Sequence, residues 1–156
     1  KGTVKRMSIP AEKLTQYDEY VEALDLLDEE SRFEYIIDIG KRADKTPFPS
    51  DCMDDVHLMH GCMSKVWIVH EVVDGVHEFR GQSDAIIVKG LVSMMTGSFS
   101  GLTSDELAAV TLDQVRGLNL GALTMQRQVG MMAMLKHMQK LSQRAENGAD
   151  RSAAAE

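Results

Sequence analysis

The sequence predicts an α+β fold in which a small curved antiparallel sheet of about three strands packs against several helices. Apolar residues recur at three- and four-residue spacing over residues 14–27 and again over 29–40, which is the period of an amphipathic helix. In the middle of the chain, β-branched runs flank Asp74-Gly75, which indicates a β-hairpin. Helical spacing then returns. This order, with the strands grouped between two sets of helices, is typical of an α+β fold.

Two helices are predicted before the first long loop, after a loose arm over residues 1–13. The apolar face of the first helix is made by five residues, Leu14, Tyr17, Val21, Leu24 and Leu27. Asp28 is a candidate N-cap of the second helix, and Gly40 is its candidate end. We expect the two helices to form an antiparallel hairpin.

The helical periodicity is absent from residues 41–60, where Pro47 and Pro49 interrupt it. This segment is therefore predicted to be a long surface loop. Loops of this length in a small domain are usually functional. A third short strand is expected near residues 56–60, because a two-stranded sheet alone is marginally stable.

The long strand over residues 66–73 is apolar on both faces for most of its length, and Trp67 is expected in the core. In the return strand over 76–80, strand alternation puts His77 and Phe79 on one face.

The second half of the chain predicts further helices. Ser83 or Asp84 is a candidate cap for a helix over 85–96, which Gly97 is expected to end. Thr103 and Glu106 form a capping box before a short helix over 104–110. A further helical turn is predicted over 113–116.

The last helix is predicted to begin after Thr124 as its cap. Methionines and leucines recur along it at helical spacing and are expected to fill the core. The segment from Glu146 onward is rich in Ala, Asp and Ser, and is expected to be frayed.

Length and composition predict one domain over residues 1–156, with a core over about 14–141 and a flexible arm and tail. Hydrophobic residues make up 44% and charged residues 26%, as in ordinary globular proteins. The net charge of −7 argues against nucleic acid as the main partner. No apolar run approaches the length of a membrane span.

Two cysteines do not make a disulfide framework, which favours a reducing compartment such as the cytoplasm. The chain begins at Lys1, so a removed leader and an organellar stroma or matrix stay open.

Cys62 follows Gly61 at the start of a predicted strand, where a loop can hold a thiol out of the strand ladder. It is a candidate nucleophile on this ground alone. The alternative is that Cys62 is a small buried apolar residue, the usual fate of an unpaired cysteine.

A metal or iron–sulfur scaffold is the alternative function. Its candidate ligands are Cys52, His57, His60, Cys62 and His70. Their spacings are irregular, whereas zinc sites usually show short paired spacings. Strand alternation is also expected to carry His70 away from the loop. We therefore predict no metal site.

Three segments, in order, carry a resemblance to the SufE family of sulfur-acceptor proteins. They are Gly61-Cys62-x-Ser64-x-Val66-Trp67, Gly81-x-Ser83-Asp84-Ala85-x-Ile87-Val88-Lys89-Gly90-Leu91 and Leu123-Thr124-x-x-Arg127. The stretch over residues 35–40 also fits, and the resemblance covers about residues 14–141. It departs from the family pattern at four positions, Met63, Gln82, Ala122 and Met125.

The resemblance implies a curved sheet backed by helices, as in IscU-type scaffolds. It implies that Cys62 accepts persulfide sulfur from a cysteine desulfurase of the SufS or CsdA type, stimulates that enzyme and relays the sulfur to an iron–sulfur scaffold. Pyridoxal phosphate belongs to the desulfurase, and the only group this chain carries is the transient persulfide. The protein is then an accessory to sulfur transfer rather than an independent enzyme.

Six further residues are expected to support Cys62: His60, Gly61, Ser64, Lys65, Asp84 and Arg127. His60 and Lys65 flank the thiol and would favour its thiolate form. The alternatives are a loop histidine without a role and a solvated lysine. The family motif implies that the fold brings Arg127 close to the thiol. The alternative role of Arg127 is a structural ion pair with Asp84.

Overall fold

Six helices and a curved three-stranded antiparallel sheet make up the computed structural model, which describes residues 9–60, 64–118 and 123–155, with side chains up to residue 148. The helices are α1 (Thr15–Leu26), α2 (Glu29–Ala43), α3 (Ile86–Phe99), α4 (Ser104–Ala108), α5 (Leu112–Gly117) and α6 (Met125–Ala155). The strands are β1 (Leu58–Met59), β2 (Val66–Val73) and β3 (Val76–Ser83). The predicted α+β class is confirmed.

The sheet has the order β1-β2-β3 and contains the predicted hairpin. Asp74 and Gly75 have φ angles of 52° and 79°, the two positive values that a tight type I′ turn requires. The third strand expected near residues 56–60 is β1, in which Met59 pairs with Val66.

Helix α3 is the centre of the core. It is apolar around most of its circumference, and its most deeply buried residues are Leu91, Val92, Met94, Met95 and Phe99. Helices α1 and α2 both pack on α3. They also meet each other near their connection, where the Arg32 guanidinium donates to the Leu24 carbonyl at 2.7 Å, and farther from it, where residues of both helices line one cavity, which agrees with the predicted antiparallel hairpin.

Gly40 and Gly97 do not end helices, which corrects two predictions. Helix α2 continues past Gly40 to Ala43, and α3 continues past Gly97 to Phe99. Gly40 instead lies where α2 crosses α3, and a Cβ added to it would be 2.9 Å from the backbone nitrogen of Gly90. The glycines here permit close approach of two helices.

Local caps set several helix ends. The Asp28 carboxylate accepts a hydrogen bond from the Ser31 N–H at 2.8 Å and caps α2, as predicted. The capping box of Thr103 and Glu106 is also present, although α4 ends at Ala108 rather than at residue 110. Trp67 is buried, as expected, and so are Met131, Met134 and Met138 of α6.

Helix α6 begins after Thr124, whose hydroxyl accepts from the Arg127 N–H at 3.3 Å, as predicted. It runs to Ala155, past Glu146, and the flexibility of that tail stays a prediction. Within the described residues, no helix is both long and apolar enough to cross a membrane.

The start of the described chain is tied to residues far along the sequence. Lys13 donates to the Glu106 carboxylate at 2.7 Å, and the Tyr17 hydroxyl donates to the carbonyl of Gln114 at 2.7 Å. These two contacts fasten α1 and the 3₁₀ turn before it to α4 and α5.

Candidate functional site

One cavity of about 220 Å³ lies where three distant segments of the chain meet. Ser64 lies two residues before β2, and the other two segments are the N-terminal parts of α3 and α6 with the residues just before them. The lining residues are Ser64, Ala85, Val88, Leu91, Thr124, Gln126, Arg127, Gly130 and Met134. Gly61, Cys62, Met63 and Ala122 lie outside the described residues. Ser64 and Arg127, two of the predicted site residues, therefore line the same cavity.

The backbone of Lys65 is anchored just after the Cys62 segment. Its carbonyl accepts from the Ser83 hydroxyl at 2.7 Å and from the Asp84 N–H at 3.4 Å. Its N–H donates to the Asp84 carboxylate at 3.1 Å. Ser83 and Asp84 thus hold the entry to β2, and the prediction that one of them caps α3 is wrong, because α3 follows Ala85 without a side-chain cap.

Substituting Ser83→Ala is expected to lower the free energy of unfolding by about 1–3 kcal/mol, because the buried Ser83 hydroxyl no longer donates to the Lys65 carbonyl. The Ser83 hydroxyl also accepts from the Ala85 N–H at 3.2 Å, so two backbone groups are affected. Urea denaturation followed by circular dichroism measures the change.

Ser98→Ala is the matched control for this prediction. Ser98 is also buried, but its hydroxyl has no hydrogen-bond partner within the described structure. Removing an unsatisfied hydroxyl from a helix should leave stability unchanged or raise it. Equal losses in the two variants would contradict a specific anchoring role for Ser83.

Arg127 is half-buried at the wall of the cavity, one turn into α6. Among the described residues no ion pair joins it to Asp84, so the structure does not support that alternative. Asp84 is exposed and bonds the Lys65 backbone instead. The permanent positive charge of an arginine at this wall favours an anion in the cavity.

His137 is a residue of this region that sequence reasoning missed. It is half-buried on α6, three residues after Met134. Burial lowers the pKa of His137 most, and the positive charges of Arg144, Lys140 and His60 lower it further. His60 itself is exposed, next to the Cys62 segment. Gly130 and His137 are seven residues apart, which is two helical turns. This spacing alone would have predicted that both lie on the same side of α6.

A second cavity, of about 460 Å³, contains residues of the metal alternative. Cys52 and His70 both line it, so His70 does not lie away from the loop as expected. His57 is engaged by Asp54, with Nδ1 and the carboxylate 2.7 Å apart. In the described part of the chain no three His, Cys, Asp or Glu side chains are grouped closely enough to hold a metal ion.

A buried histidine network joins β2 and β3 to two helices. His70 Nε2 and His77 Nδ1 are 2.7 Å apart, and His77 Nε2 lies 2.7 Å from the Ser104 hydroxyl and 3.1 Å from that of Ser142. Burial is the largest cause that lowers the pKa of both histidines. His70 Nε2 and His77 Nδ1 share one proton between them, so charging both histidines would place two N–H donors face to face and break this hydrogen bond.

These lowered pKa values predict that the protein loses stability as pH falls from 7.5 to 5.5. Below about 6.5 the histidines of the unfolded chain bind protons that the folded chain excludes. For each excluded proton, the free energy of unfolding falls by at most about 1.4 kcal/mol for each unit by which the pH is lowered. Urea denaturation at both pH values measures the loss, which His70→Gln should reduce. A higher unfolding free energy at pH 5.5 would contradict the prediction.

A comparison with protein-family models matches residues 18–142 to the family SufE, described as an Fe–S metabolism associated domain. An uncharacterised SufE-like protein of Rhizobium meliloti is 31% identical over 133 residues, which cover 80% of this chain and 93% of that protein. One from Synechocystis is 32% identical over 113 residues, covering 72% of this chain and 70% of that protein.

Among solved structures, the fold is similar to the solution structure of a hypothetical protein from Thermus thermophilus. The TM-score is 0.68, and the match covers 85% of this chain and 96% of that one. At 18% identity this likeness concerns the fold alone.

Proposed function

From the premise that the chain belongs to the SufE family and has a role in iron–sulfur metabolism, we propose that it is a sulfur carrier. Cys62 accepts the persulfide sulfur of a cysteine desulfurase and passes it to an iron–sulfur scaffold or another acceptor. The carrier also stimulates the desulfurase, because it removes sulfur that would otherwise block the donor cysteine. Pyridoxal phosphate acts in the partner, and the cytoplasm is the compartment we assign.

The observation that supports this proposal best is the meeting of the three matched segments at one cavity. Cys62 precedes Ser64 by two residues, and consecutive Cα atoms are about 3.8 Å apart, so chain connectivity limits the two Cα atoms to a separation of about 8 Å. A thiol tethered this close to Ser64 is within reach of the cavity that Ser64 lines.

The transfer is a thiol exchange without net oxidation. The Cys62 thiolate attacks the outer sulfur of the donor's Cys–S–SH, a new S–S bond forms, and the donor's S–S bond breaks. The donor cysteine leaves as a thiolate, and the proton of the persulfide stays with the transferred sulfur or passes to solvent. Relay to the next acceptor repeats the exchange with Cys62 as the leaving thiolate.

The cavity suits the loaded state in size and lining. Its volume of about 220 Å³ exceeds the roughly 30 Å³ that one water occupies in the liquid, so a sulfur atom fits. Val88, Leu91 and Met134 give it an apolar wall. Arg127 supplies a positive charge that favours a thiolate or persulfide anion over its protonated form.

The test is the intact mass of the protein after incubation with a cysteine desulfurase, pyridoxal phosphate and cysteine. The expected result is a gain of one sulfur atom that a reducing agent removes. Absence of any gain, with metal retained by the purified protein, would overturn the carrier proposal in favour of a scaffold that binds through Cys52, Cys62 and histidines. Metal analysis of the same sample distinguishes the two.

A further inference from the structure

The first two-thirds of α6 have an unusual charge composition. Residues 125–145 contain four of the 17 Lys and Arg residues of the chain and none of its 24 Asp and Glu residues. The four are Arg127, Lys136, Lys140 and Arg144. In a chain of net charge −7, this segment concentrates positive charge on one helix.

Lys136, Lys140 and Arg144 form one exposed row, because residues four apart lie on the same side of a helix. Every ion pair in the described part of the chain involves other residues, so none of the three is neutralised by a carboxylate there. Like charges at this spacing destabilise a helix by a few tenths of a kcal/mol. Helix stability therefore does not explain the row.

The helix dipole does not explain the row either. Positive side chains are favourable in the last turn of a helix, and this effect falls off within one turn. Arg144 lies eleven residues before the end of α6 at Ala155, which is about three turns.

Two exposed apolar residues extend this side of α6 toward its N-terminus, the end of the helix that lines the cavity. Met125 is 74% exposed and Val129 is 52% exposed, and both lie on the same side of α6 as Lys136 and Lys140. Across the cavity, Ile86 at the start of α3 is 54% exposed. Exposed apolar residues thus lie at the beginning of both helices that line the cavity, and positive charge extends from them along α6.

The row also passes close to the segment that carries Cys62. The charges of Arg144, Lys140 and His60 all lower the pKa of His137, so His60 and two residues of the row lie near this one histidine. A protein that delivers sulfur to Cys62 must bring its own cysteine into bonding contact with this thiol. Its surface then covers the neighbouring part of α6.

We propose that the α6 surface, formed by Met125, Val129, Lys136, Lys140 and Arg144, docks a carboxylate-rich surface of the protein that donates sulfur to Cys62. This inference rests on the proposed sulfur-carrier function. Complementary charge accelerates the encounter of two proteins, and apolar side chains at the centre of an interface add contact. Nucleic acid is disfavoured as the occupant by the overall negative charge of the chain.

The test compares two double variants with the same change in charge. Lys136→Glu with Lys140→Glu reverses two of the three charges of the row. Lys41→Glu with Lys45→Glu is the control, since these exposed lysines lie in the last turn of α2 and just after it. Sulfur transfer from a cysteine desulfurase is followed by intact mass at several donor and NaCl concentrations. At low salt and subsaturating donor, the row variant should be at least about tenfold slower and the control within about twofold of wild type.

Salt dependence and a graded variant separate docking from misfolding. The rate of the wild type should fall as NaCl rises, whereas the rate of the row variant should not. Lys136→Gln with Lys140→Gln should lie between the two. All variants should take sulfur equally well from a small persulfide such as glutathione persulfide, because that donor needs no docking surface.

Three outcomes would overturn the docking proposal. In the first, the wild type accepts sulfur, and the row variant shows the same rate of sulfur transfer and the same salt dependence as the wild type. This result would leave the carrier function intact. Another is binding of a labelled nucleic-acid duplex that depends on Lys136 and Lys140. The last is failure of the wild type to accept sulfur from either donor, which would overturn the carrier function as well.

Discussion

Cys62→Ser is expected to abolish sulfur loading completely. The nucleophile in persulfide transfer is a thiolate, and a serine hydroxyl is neither ionised near neutral pH nor able to form an S–S bond. Intact mass after incubation with a desulfurase, pyridoxal phosphate and cysteine should show one sulfur atom on the wild type and none on the variant. The variant should also fail to stimulate the desulfurase, because it cannot remove the donor's sulfur.

Cys52→Ser is the control for this experiment. Cys52 is a half-buried free cysteine in a 3₁₀ turn, lies outside the three matched segments and lines the second cavity rather than the first. The variant should load sulfur at the wild-type rate. Loading that disappears with Cys52→Ser and persists with Cys62→Ser would move the acceptor site to the loop before β1.

Gly90→Ala is expected to cost at least about 3 kcal/mol of unfolding free energy, at the upper end of the cost of overpacking. A Cβ at this position would overlap the carbonyl oxygen of Ile36 and lie 2.7 Å from its carbonyl carbon. Both are backbone atoms of α2, so no side-chain rotation relieves the overlap. Helix α2 would have to move off α3, in a domain whose total stability is of the order of 5–15 kcal/mol.

Gly148→Ala is the matched control, because it lies inside α6 and a Cβ there meets no atom within 4 Å. This substitution should raise stability by up to about 1 kcal/mol through helix propensity alone. Urea denaturation of both variants separates close packing from propensity. A Gly90→Ala protein within 1 kcal/mol of wild type would show that the α2–α3 crossing adapts.

Features that depend on neighbouring residues could be predicted from the sequence. The Asp74-Gly75 turn, the Asp28 cap and the capping box at Thr103 each need only a few consecutive residues, and all are present. For the site, the sequence identified Ser64 and Arg127, which line one cavity.

Features that depend on packing partners could not be predicted. Gly40 carries a helix-ending signal in its local sequence, but its position against Gly90 is set by the crossing of two helices. The roles of Ser83 and Asp84 were misassigned for the same reason, because their partner Lys65 is eighteen or nineteen residues away. His137 joins the region of the site only because α6 brings it near His60.

The contacts of Lys13 and Tyr17 have a consequence for the order of folding. They span 93 and 97 residues of sequence, and contacts between such distant residues form slowly because a long loop must close first. During synthesis α1 leaves the ribosome before the other described helices, and its partners in α4 and α5 follow roughly 90 residues later. Helix α1 is therefore expected to be translated before its docking partners and to be among the last of the described helices to dock.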